Sequence, residues 1–136
     1  LNLGNPPAGF GFRISQLFGP GSFGWSLAAS DLNDDGFSDV LISNWASSQV
    51  LAVFGQSAAP NAQTDISALT LTSSPRGVRF IDVDSNSRFG WSLRGGFDAN
   101  GDGIEDMIAG APFSNSQNGR FNVIYGRANS GGSLAF

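Results

Sequence analysis

Oxygen-bearing side chains recur at a fixed spacing in two nine-residue segments, 31–39 and 98–106. Each segment places such side chains at its first, third, fifth and ninth positions and a glycine at its sixth position. They are Asp31, Asn33, Asp35 and Asp39 in the first segment and Asp98, Asn100, Asp102 and Asp106 in the second. The two segments also hold eight of the eleven acidic residues of the chain. Because carboxylates held close together repel each other, this concentration of charge predicts a bound cation.

The ligand chemistry of both segments suits calcium. Ca²⁺ takes about six to eight oxygen ligands with tolerant geometry, and backbone carbonyls serve as well as carboxylates. We assign the seventh-position carbonyls, those of Phe37 and Ile104, as further donors, with water or a bidentate ninth-position Asp completing each shell. Gly36 and Gly103 stand where the chain must turn sharply, and glycine adopts a positive φ readily. We expect one Ca²⁺ per segment and two per chain; the alternative is an ordinary Asp/Asn/Gly turn that binds nothing.

The flanks of the two segments indicate hairpins rather than EF-hands. An EF-hand loop requires a Glu at its twelfth position, where this chain has Ile42 and Ala109. A short apolar run follows each segment, and the sequence FGWSL precedes each at residues 23–27 and 89–93. Runs of this kind predict strands, so each segment is expected to connect two strands of a hairpin. The segments are called loop 1 (31–39) and loop 2 (98–106) below.

The similarity extends beyond the loops, so the chain consists of two copies of one unit. Residues 11–14 correspond to 77–80, and the apolar run 50–55 corresponds to 121–126. Each unit has about four β-rich runs, separated by loops rich in Gly, Ser, Asn and Pro, and no helical periodicity, which predicts an all-β fold. The predicted division of the chain is a strand at 1–16 that completes a neighbouring sheet, a first repeat at 17–80 and a second repeat at 81–136.

These motifs resemble the FG-GAP repeats of the β-propeller of integrin α-subunits and its bacterial relatives. The second unit has Phe89-Gly90 before loop 2 and Gly110-Ala111-Pro112 after it, whereas the first unit has Phe23-Gly24 and Ser43-Asn44-Trp45. The resemblance implies that each repeat forms a four-stranded antiparallel propeller blade with Ca²⁺ in the loop between its first two strands. It also implies an extracellular, integrin-like structural or cell-adhesion module.

Two blades are too few to close a propeller, which has about four to eight. Residues 133–136 followed by 1–3 mimic the internal run 66–71, so the end of the chain continues into its own beginning. We expect head-to-tail association into a homo-oligomer, in which residues 1–16 of one chain complete the last blade of the next. Three or four chains would then form a ring, and a rotation that does not close would give a filament. The alternative is a pair of repeats excised from a longer protein.

Two interpretations of the aromatic residues remain open. Most of them recur at equivalent positions of the two units, which favours packing between blades over a platform for sugars or nucleic acid. They are Phe23, Trp25, Phe54, Phe89, Trp91 and Tyr125. Trp45 has no aromatic counterpart and is our candidate for an exposed ligand contact, and loop 115–120 is a second candidate. A lectin-like protein that binds a glycan or an extracellular protein through these residues is therefore the alternative function.

Composition argues against several other function classes. The chain has no His, Cys or Lys, so it lacks the common bases and nucleophile activators of enzymes. A formal charge of −4 argues against nucleic acid, and no apolar stretch of about twenty residues could span a membrane. Two Ca²⁺ would bring that charge near zero and favour association of copies. Calcium loops of this kind fill at extracellular concentrations, which predicts an extracellular or cell-surface location. A third acidic stretch, 82–86, is predicted to be a solvated turn, with a weak cation site as the alternative.

Overall fold

The computed structural model describes residues 13–15, 21–57, 63–65 and 76–128. Predicted features at 1–12, 66–71 and 133–136 lie outside these ranges. The described strands are β1 (Arg13–Ser15), β2 (Phe23–Ser30), β3 (Asp39–Asn44), β4 (Gln49–Val53), β5 (Gln63–Asp65), β6 (Gly77–Ile81), β7 (Leu93–Phe97), β8 (Asp106–Ala111) and β9 (Arg120–Ile124). A 3₁₀ turn (Trp45–Ser47) follows β3, and a single helical turn, α1 (Ser114–Gln117), follows β8. The predicted all-β architecture is confirmed.

The first unit forms a four-stranded antiparallel sheet, sheet 1, with strand order β2-β3-β4-β6. Its strands alternate residues between two faces, as the period of a β-strand requires. Leu41 pairs with Ala52 on one face, and Ile42 pairs with Leu51 on the other. Both faces are apolar, so sheet 1 needs a cover on each side.

The second unit forms a three-stranded antiparallel sheet, sheet 2, with strand order β7-β8-β9 in the described part of the chain. One face carries Met107, Ala109 and Ala111, which are fully buried. These residues pack against Leu41 and Val50 of sheet 1 in a single hydrophobic core. The two sheets therefore lie face to face, and the core between them is formed by one face of each.

The FGWSL segments are less regular than predicted. In sheet 1 the segment belongs to β2, but the pairing of β2 with β3 shifts register between Phe23 and Leu27. In the second unit the strand begins only at Leu93, so the prediction of a strand over 89–93 is wrong for its first four residues. Gly24 and Gly90 have φ of +82° and +87°, a left-handed conformation that interrupts a strand. The irregularity is thus part of the repeat.

A third, small sheet pairs β1 with β5 in parallel, aligning Arg13 with Gln63 and Ser15 with Asp65. Ile14 of β1 packs against Leu51, on the face of sheet 1 that sheet 2 does not cover. In this conformation, part of the 1–16 segment pairs with its own chain.

The described ranges contain no helix that is both long enough and apolar enough to cross a membrane.

Candidate functional site

Loop 1 connects β2 to β3, and loop 2 connects β7 to β8, so each lies at the tip of a hairpin as predicted. The two loops repeat the same backbone path. Their sixth residues, Gly36 and Gly103, have φ of +85° and +89°, and their fourth residues, Asp34 and Gly101, have φ of +55° and +78°. Two left-handed residues in each loop turn the chain sharply and bring successive backbone N–H groups towards the first side chain.

The first aspartate of each loop is held by those N–H groups. Asp31 accepts hydrogen bonds from the N–H of Asp35 at 3.1 Å and of Gly36 at 2.9 Å. Asp98 accepts from the N–H of Gly101 at 2.7 Å and of Gly103 at 2.8 Å. These hydrogen bonds, that of Gly103 foremost, hold the pKa of Asp98 below its usual range. Both carboxylates therefore lie on the concave side of a tight turn, each held by two backbone N–H groups.

The ninth aspartates, Asp39 and Asp106, are fully buried and join each loop to the segment that follows the third strand of its sheet. Asp39 accepts from the N–H of Leu32 at 3.0 Å and, after β4, from the N–H of Gly55 at 3.0 Å. Asp106 makes the equivalent bonds with Ala99 at 2.7 Å and, after β9, with Gly126 at 2.8 Å. Burial raises the pKa of Asp39 to about 6, and the nearby charges of other loop carboxylates add to this. A buried carboxylate in this state is stabilised by positive charge.

The third position of loop 1 carries an unsatisfied acceptor. Asn33 is 2% exposed, and its Nδ2 donates to Asp35 Oδ2 at 2.9 Å. Its Oδ1 is buried and has no hydrogen-bond partner in the described part of the chain. Asn100, its counterpart in loop 2, is exposed, and its Oδ1 accepts the N–H of Asp102 at 3.1 Å. Burying a polar oxygen without a partner costs roughly 1–3 kcal/mol, so a bound cation at loop 1 would remove a penalty.

The carboxylates at the fifth position of each loop accept hydrogen bonds from the backbone N–H groups of the seventh position. Asp35 Oδ1 accepts the N–H of Phe37 at 2.9 Å, and Asp102 Oδ1 accepts the N–H of Ile104 at 2.9 Å. The described residues contain no group of three or more acidic, His or Cys side chains arranged to hold a metal ion. The structure places all eight side chains in the two loops, and seven of them accept a hydrogen bond from a backbone N–H group, Asn33 being the exception. As a donor set they fit a hard cation, because every candidate ligand is an oxygen and Asn33 Oδ1 is free.

Sequence reasoning gave no role to the residues that join the loops to the other sheet. Glu105, between two candidate ligands of loop 2, accepts the N–H of Asp31 of loop 1 at 2.8 Å. Leu32 is fully buried in the core, and its carbonyl accepts the N–H of Arg127 at 2.8 Å. One signal for this was available: the second position of loop 1 is a leucine between Asp31 and Asn33.

The three tryptophans of the chain form one cluster. Trp45 lies 5.8 Å from Trp25 and 5.3 Å from Trp91 between ring centroids, and Trp25 lies 5.3 Å from Trp91. The guanidinium of Arg88 lies over Trp45 at 4.8 Å and over Phe113 at 4.1 Å. Trp45 is half-buried, while Trp25 is 56% exposed. Trp45 therefore belongs to a shared aromatic surface, and Trp25 is its most accessible tryptophan.

The other predicted positions vary in their surroundings. Phe89 is buried in the core between the sheets and Phe54 packs against it, whereas Tyr125 is 51% exposed. The turn at 82–86 is present, but the prediction that it is solvated is wrong for Asp82. That side chain is buried and forms an ion pair with Arg120 of β9. A carboxylate buried next to a guanidinium is stabilised by the pair rather than by solvent.

Comparison with known proteins agrees with the repeat structure. The family model described as FG-GAP repeat matches residues 23–50 and 89–132, more than half of the chain. Integrin alpha-PS5 of Drosophila melanogaster is 35% identical over 92 residues, which is 68% of this chain but only 9% of that protein. Both findings agree with the predicted resemblance, and the chain belongs to the FG-GAP repeat family, related to integrin α-subunits.

Proposed function

We propose that this chain is a non-enzymatic, calcium-binding module of extracellular or cell-surface adhesion proteins. The observation that carries the calcium assignment is the repeated loop of oxygen donors, with the buried and unpartnered Oδ1 of Asn33 at its third position. The burial of Asp39 and the charge near it support the same assignment, because a cation would offset both. Membership of the FG-GAP family and the integrin relative support the adhesion role and the location.

Calcium binding is tested by titration of the metal-free chain with Ca²⁺ in a calorimeter. We expect two sites per chain, and one site after Asp35→Asn. Asp34→Asn is the matched control: it removes the same charge from the same loop, but Asp34 is exposed and lies at the fourth position, which supplies no ligand. The control should keep both sites. Equal loss in both variants, or no binding by the unaltered chain at millimolar Ca²⁺, would refute the assignment.

The outer faces of the two sheets, those turned away from the core, support self-association as the second part of the proposal. When the two units are aligned by their repeat, Met107 and Ala109 of sheet 2 correspond to Val40 and Ile42 of sheet 1. The buried face of sheet 2 is therefore equivalent to the face of sheet 1 that sheet 2 does not cover. The uncovered face of sheet 2, with Phe121 67% exposed, corresponds to the face of sheet 1 that is buried in the core. The two outer faces are therefore equivalent to the two halves of the contact that holds sheet 1 to sheet 2. In this conformation β1 covers the outer face of sheet 1, where Ile42 and Leu51 are buried, so association requires β1 to leave that face.

A second copy of the chain can repeat this contact head to tail. Such a heterologous interface either closes into a ring, here of three or four chains, or continues as a filament. The next repeats of a longer chain could make the same contact. Pairing of residues 1–16 with the neighbouring sheet 2 would add to it, because β9 lies at an edge in the described part of that sheet. Calcium would favour association by lowering the net charge of −4.

Solution mass with calcium and with chelator tests the association. We expect a defined oligomer or a polymer in calcium and smaller species in chelator. Phe121→Asp should prevent assembly, because it places a charge at the centre of the contact. Val83→Asp is the control, since Val83 is 99% exposed and lies on a turn rather than on a sheet face. A monomer under all conditions, or equal effects of the two variants, would exclude this interface between copies.

The aromatic surface favours a second candidate function, a lectin-like module that binds a glycan or an extracellular protein. Trp25 and Phe113 are exposed at 56% and 38%, and the neighbouring segment Asn115, Ser116 and Gln117 has three successive positive φ values. Such strained backbone is concentrated at functional sites, and exposed indole rings stack on apolar sugar faces. Glycan-array binding that disappears after Trp25→Ala and Trp45→Ala would support this function. Assembly without any glycan affinity would support the first.

A further inference from the structure

We propose that Glu105 couples the two calcium loops, so that a cation in either loop strengthens binding in the other. This inference rests on the proposed calcium binding and adds to it a specific relation between the sites. Glu105 lies between two candidate ligands of loop 2, the carbonyl of Ile104 and the carboxylate of Asp106. Its own carboxylate is directed away from loop 2 and accepts the N–H of Asp31, the first ligand residue of loop 1, at 2.8 Å.

Further contacts fix the same junction on both sides. Ser30, immediately before loop 1, donates its hydroxyl to the carbonyl of Asp106 at 3.0 Å. The carbonyl of Leu32, immediately after Asp31, accepts the N–H of Arg127 at 2.8 Å. Three consecutive residues of loop 1 and its preceding strand are thus bonded to loop 2 or to the segment that follows β9. A displacement of the end of loop 2 must move the beginning of loop 1.

The closeness of packing makes this junction stiff. A Cβ atom added at Gly126 would lie 2.2 Å from the carbonyl oxygen of Glu105, 2.6 Å from Ile104 Cγ2 and 3.1 Å from the carbonyl oxygen of Leu32. Both loops therefore touch the same point of the chain, and the N–H of Gly126 is bonded to the buried Asp106. At this junction a movement of Ile104 or Glu105 has little room before it displaces the start of loop 1.

Coupling follows because ordering a loop costs conformational entropy. A cation in loop 2 orders Ile104 and Asp106, and thereby fixes Glu105 in the position that holds the backbone of Asp31. Loop 1 then binds its cation with part of its ordering already complete. By linkage the effect is reciprocal, and couplings of this kind are typically about 5- to 150-fold. We expect a value near the lower end, about tenfold, because one side chain and two further hydrogen bonds carry it.

The coupling is specific to this loop order. Ser38 of loop 1 occupies the position equivalent to Glu105, and its short hydroxyl side chain cannot replace a carboxylate that spans two sheets. Loop 1 therefore has no equivalent residue with which to reach a preceding unit. Glu105 is a positioning residue here, since it contacts the backbone of a ligand residue rather than the cation.

The test measures the affinity of each loop for Ca²⁺ with the other loop intact or silenced. Asp102→Asn silences loop 2 and Asp35→Asn silences loop 1. With Glu105 present, silencing either loop should weaken binding at the other about tenfold, by equal factors. In Glu105→Ala, silencing one loop should weaken binding at the other by much less than tenfold, because only the hydrogen bonds of Ser30 and Leu32 remain. Glu105→Gln should retain most of the coupling, because its amide oxygen can still accept the N–H of Asp31.

Hydrogen exchange of the Asp31 amide supplies a second readout that does not depend on affinity. In a chain with loop 1 silenced by Asp35→Asn, Ca²⁺ bound at loop 2 should slow exchange of this amide, and Glu105→Ala should abolish the slowing. Loops that bind independently when Glu105 is present, or coupling of unchanged size in Glu105→Ala, would overturn the inference while leaving calcium binding intact. Absence of calcium binding by the unaltered chain would instead overturn the proposed function, and the coupling with it.

Discussion

Replacement of Gly126 by alanine tests whether the end of sheet 2 is packed as closely as the structure indicates. The added methyl group would lie 2.2 Å from the carbonyl oxygen of Glu105, where carbon and oxygen normally stay more than 3 Å apart. Because the atom it meets belongs to the backbone, no side-chain rotation can relieve the overlap. The chain must shift by about 1 Å, and the shift would separate the Gly126 N–H from Asp106 Oδ1, now 2.8 Å away.

The magnitude follows from two costs. Overpacking a closely packed site costs about 1–3 kcal/mol. Loss of a hydrogen bond to a buried carboxylate adds about 1–3 kcal/mol. Alanine restricts the unfolded chain more than glycine does, which offsets roughly 0.4–1 kcal/mol of these two costs. We therefore expect Gly126→Ala to lower the free energy of unfolding by about 3–4 kcal/mol, which for 136 residues corresponds to a fall in Tm of about 10–15 °C.

Urea unfolding followed by circular dichroism, in chelator so that bound metal does not contribute, measures this change. Gly21→Ala is the matched control, since a Cβ at Gly21 meets nothing within 4 Å and the residue has no positive φ. Its effect should stay within about 1 kcal/mol. Gly55→Ala, the equivalent position of sheet 1, should fall between the two, because its nearest backbone atom, the carbonyl oxygen of Ser38, is 2.6 Å away. A Gly126→Ala variant as stable as Gly21→Ala would refute the close packing at this junction.

Three further predictions concern the contacts between the sheets. Leu32→Ala should lower the free energy of unfolding by about 2–5 kcal/mol, because Leu32 is fully buried. Leu27→Ala, at a residue that is 62% exposed, should lower it by less than about 1 kcal/mol, and urea unfolding measures both. Ser30→Ala should cost about 1–3 kcal/mol in the same assay, because the buried hydroxyl bonds sheet 2 as both donor and acceptor, and an unchanged midpoint would contradict this. For Asp82, burial favours the neutral form, but the hydroxyl of Ser87, the N–H of Asp84 and the guanidinium of Arg120 outweigh it and hold the pKa below the usual range. The stability that ionised Asp82 contributes is therefore present above the ordinary aspartate pKa and lost as pH falls below it. Asp82→Asn should accordingly be less stable than the unaltered chain at neutral pH, and this difference should shrink towards about pH 3.

The sequence was most informative where it was repetitive. Two copies of the same oxygen spacing located both loops, and the apolar runs beside them located β3, β4, β8 and β9 to within two residues at each end. Both signals are local, because each depends on residues close in sequence. The strand start at Leu93 was misplaced, since the left-handed turn at Gly90 is not visible in an apolar run that otherwise favours a strand.

Contacts between units could not be predicted in the same way. Glu105 and Asp31 are 74 residues apart, and an acidic residue inside an acidic loop gives no sign that its side chain turns towards another sheet. The pair of Asp82 and Arg120 is hidden for the same reason, since each residue alone is typical of a polar turn or an edge strand. Trp45 was singled out because it breaks the repeat, yet its neighbours Trp25 and Trp91 follow the repeat and were assigned to packing. Departures from a repeat identify unusual residues but not the partners they meet.

The ninth aspartates connect the chemistry of the loops to the stability of the sheets. Asp39 is fully buried, its two oxygens tie the start of loop 1 to the end of β4, and its pKa is raised to about 6 by burial. At neutral pH the sheet is therefore joined through a charge that the protein interior disfavours. The only positive partners that hold Asp39 in the described chain are the partial charges of backbone N–H groups. A cation among the neighbouring donors would lower that cost, and the free energy it released would appear as stability of the hairpin and of every contact built on it. Under the proposed calcium binding, metal affinity and sheet stability would form one equilibrium, which the contacts of Glu105 would extend from sheet 1 to sheet 2.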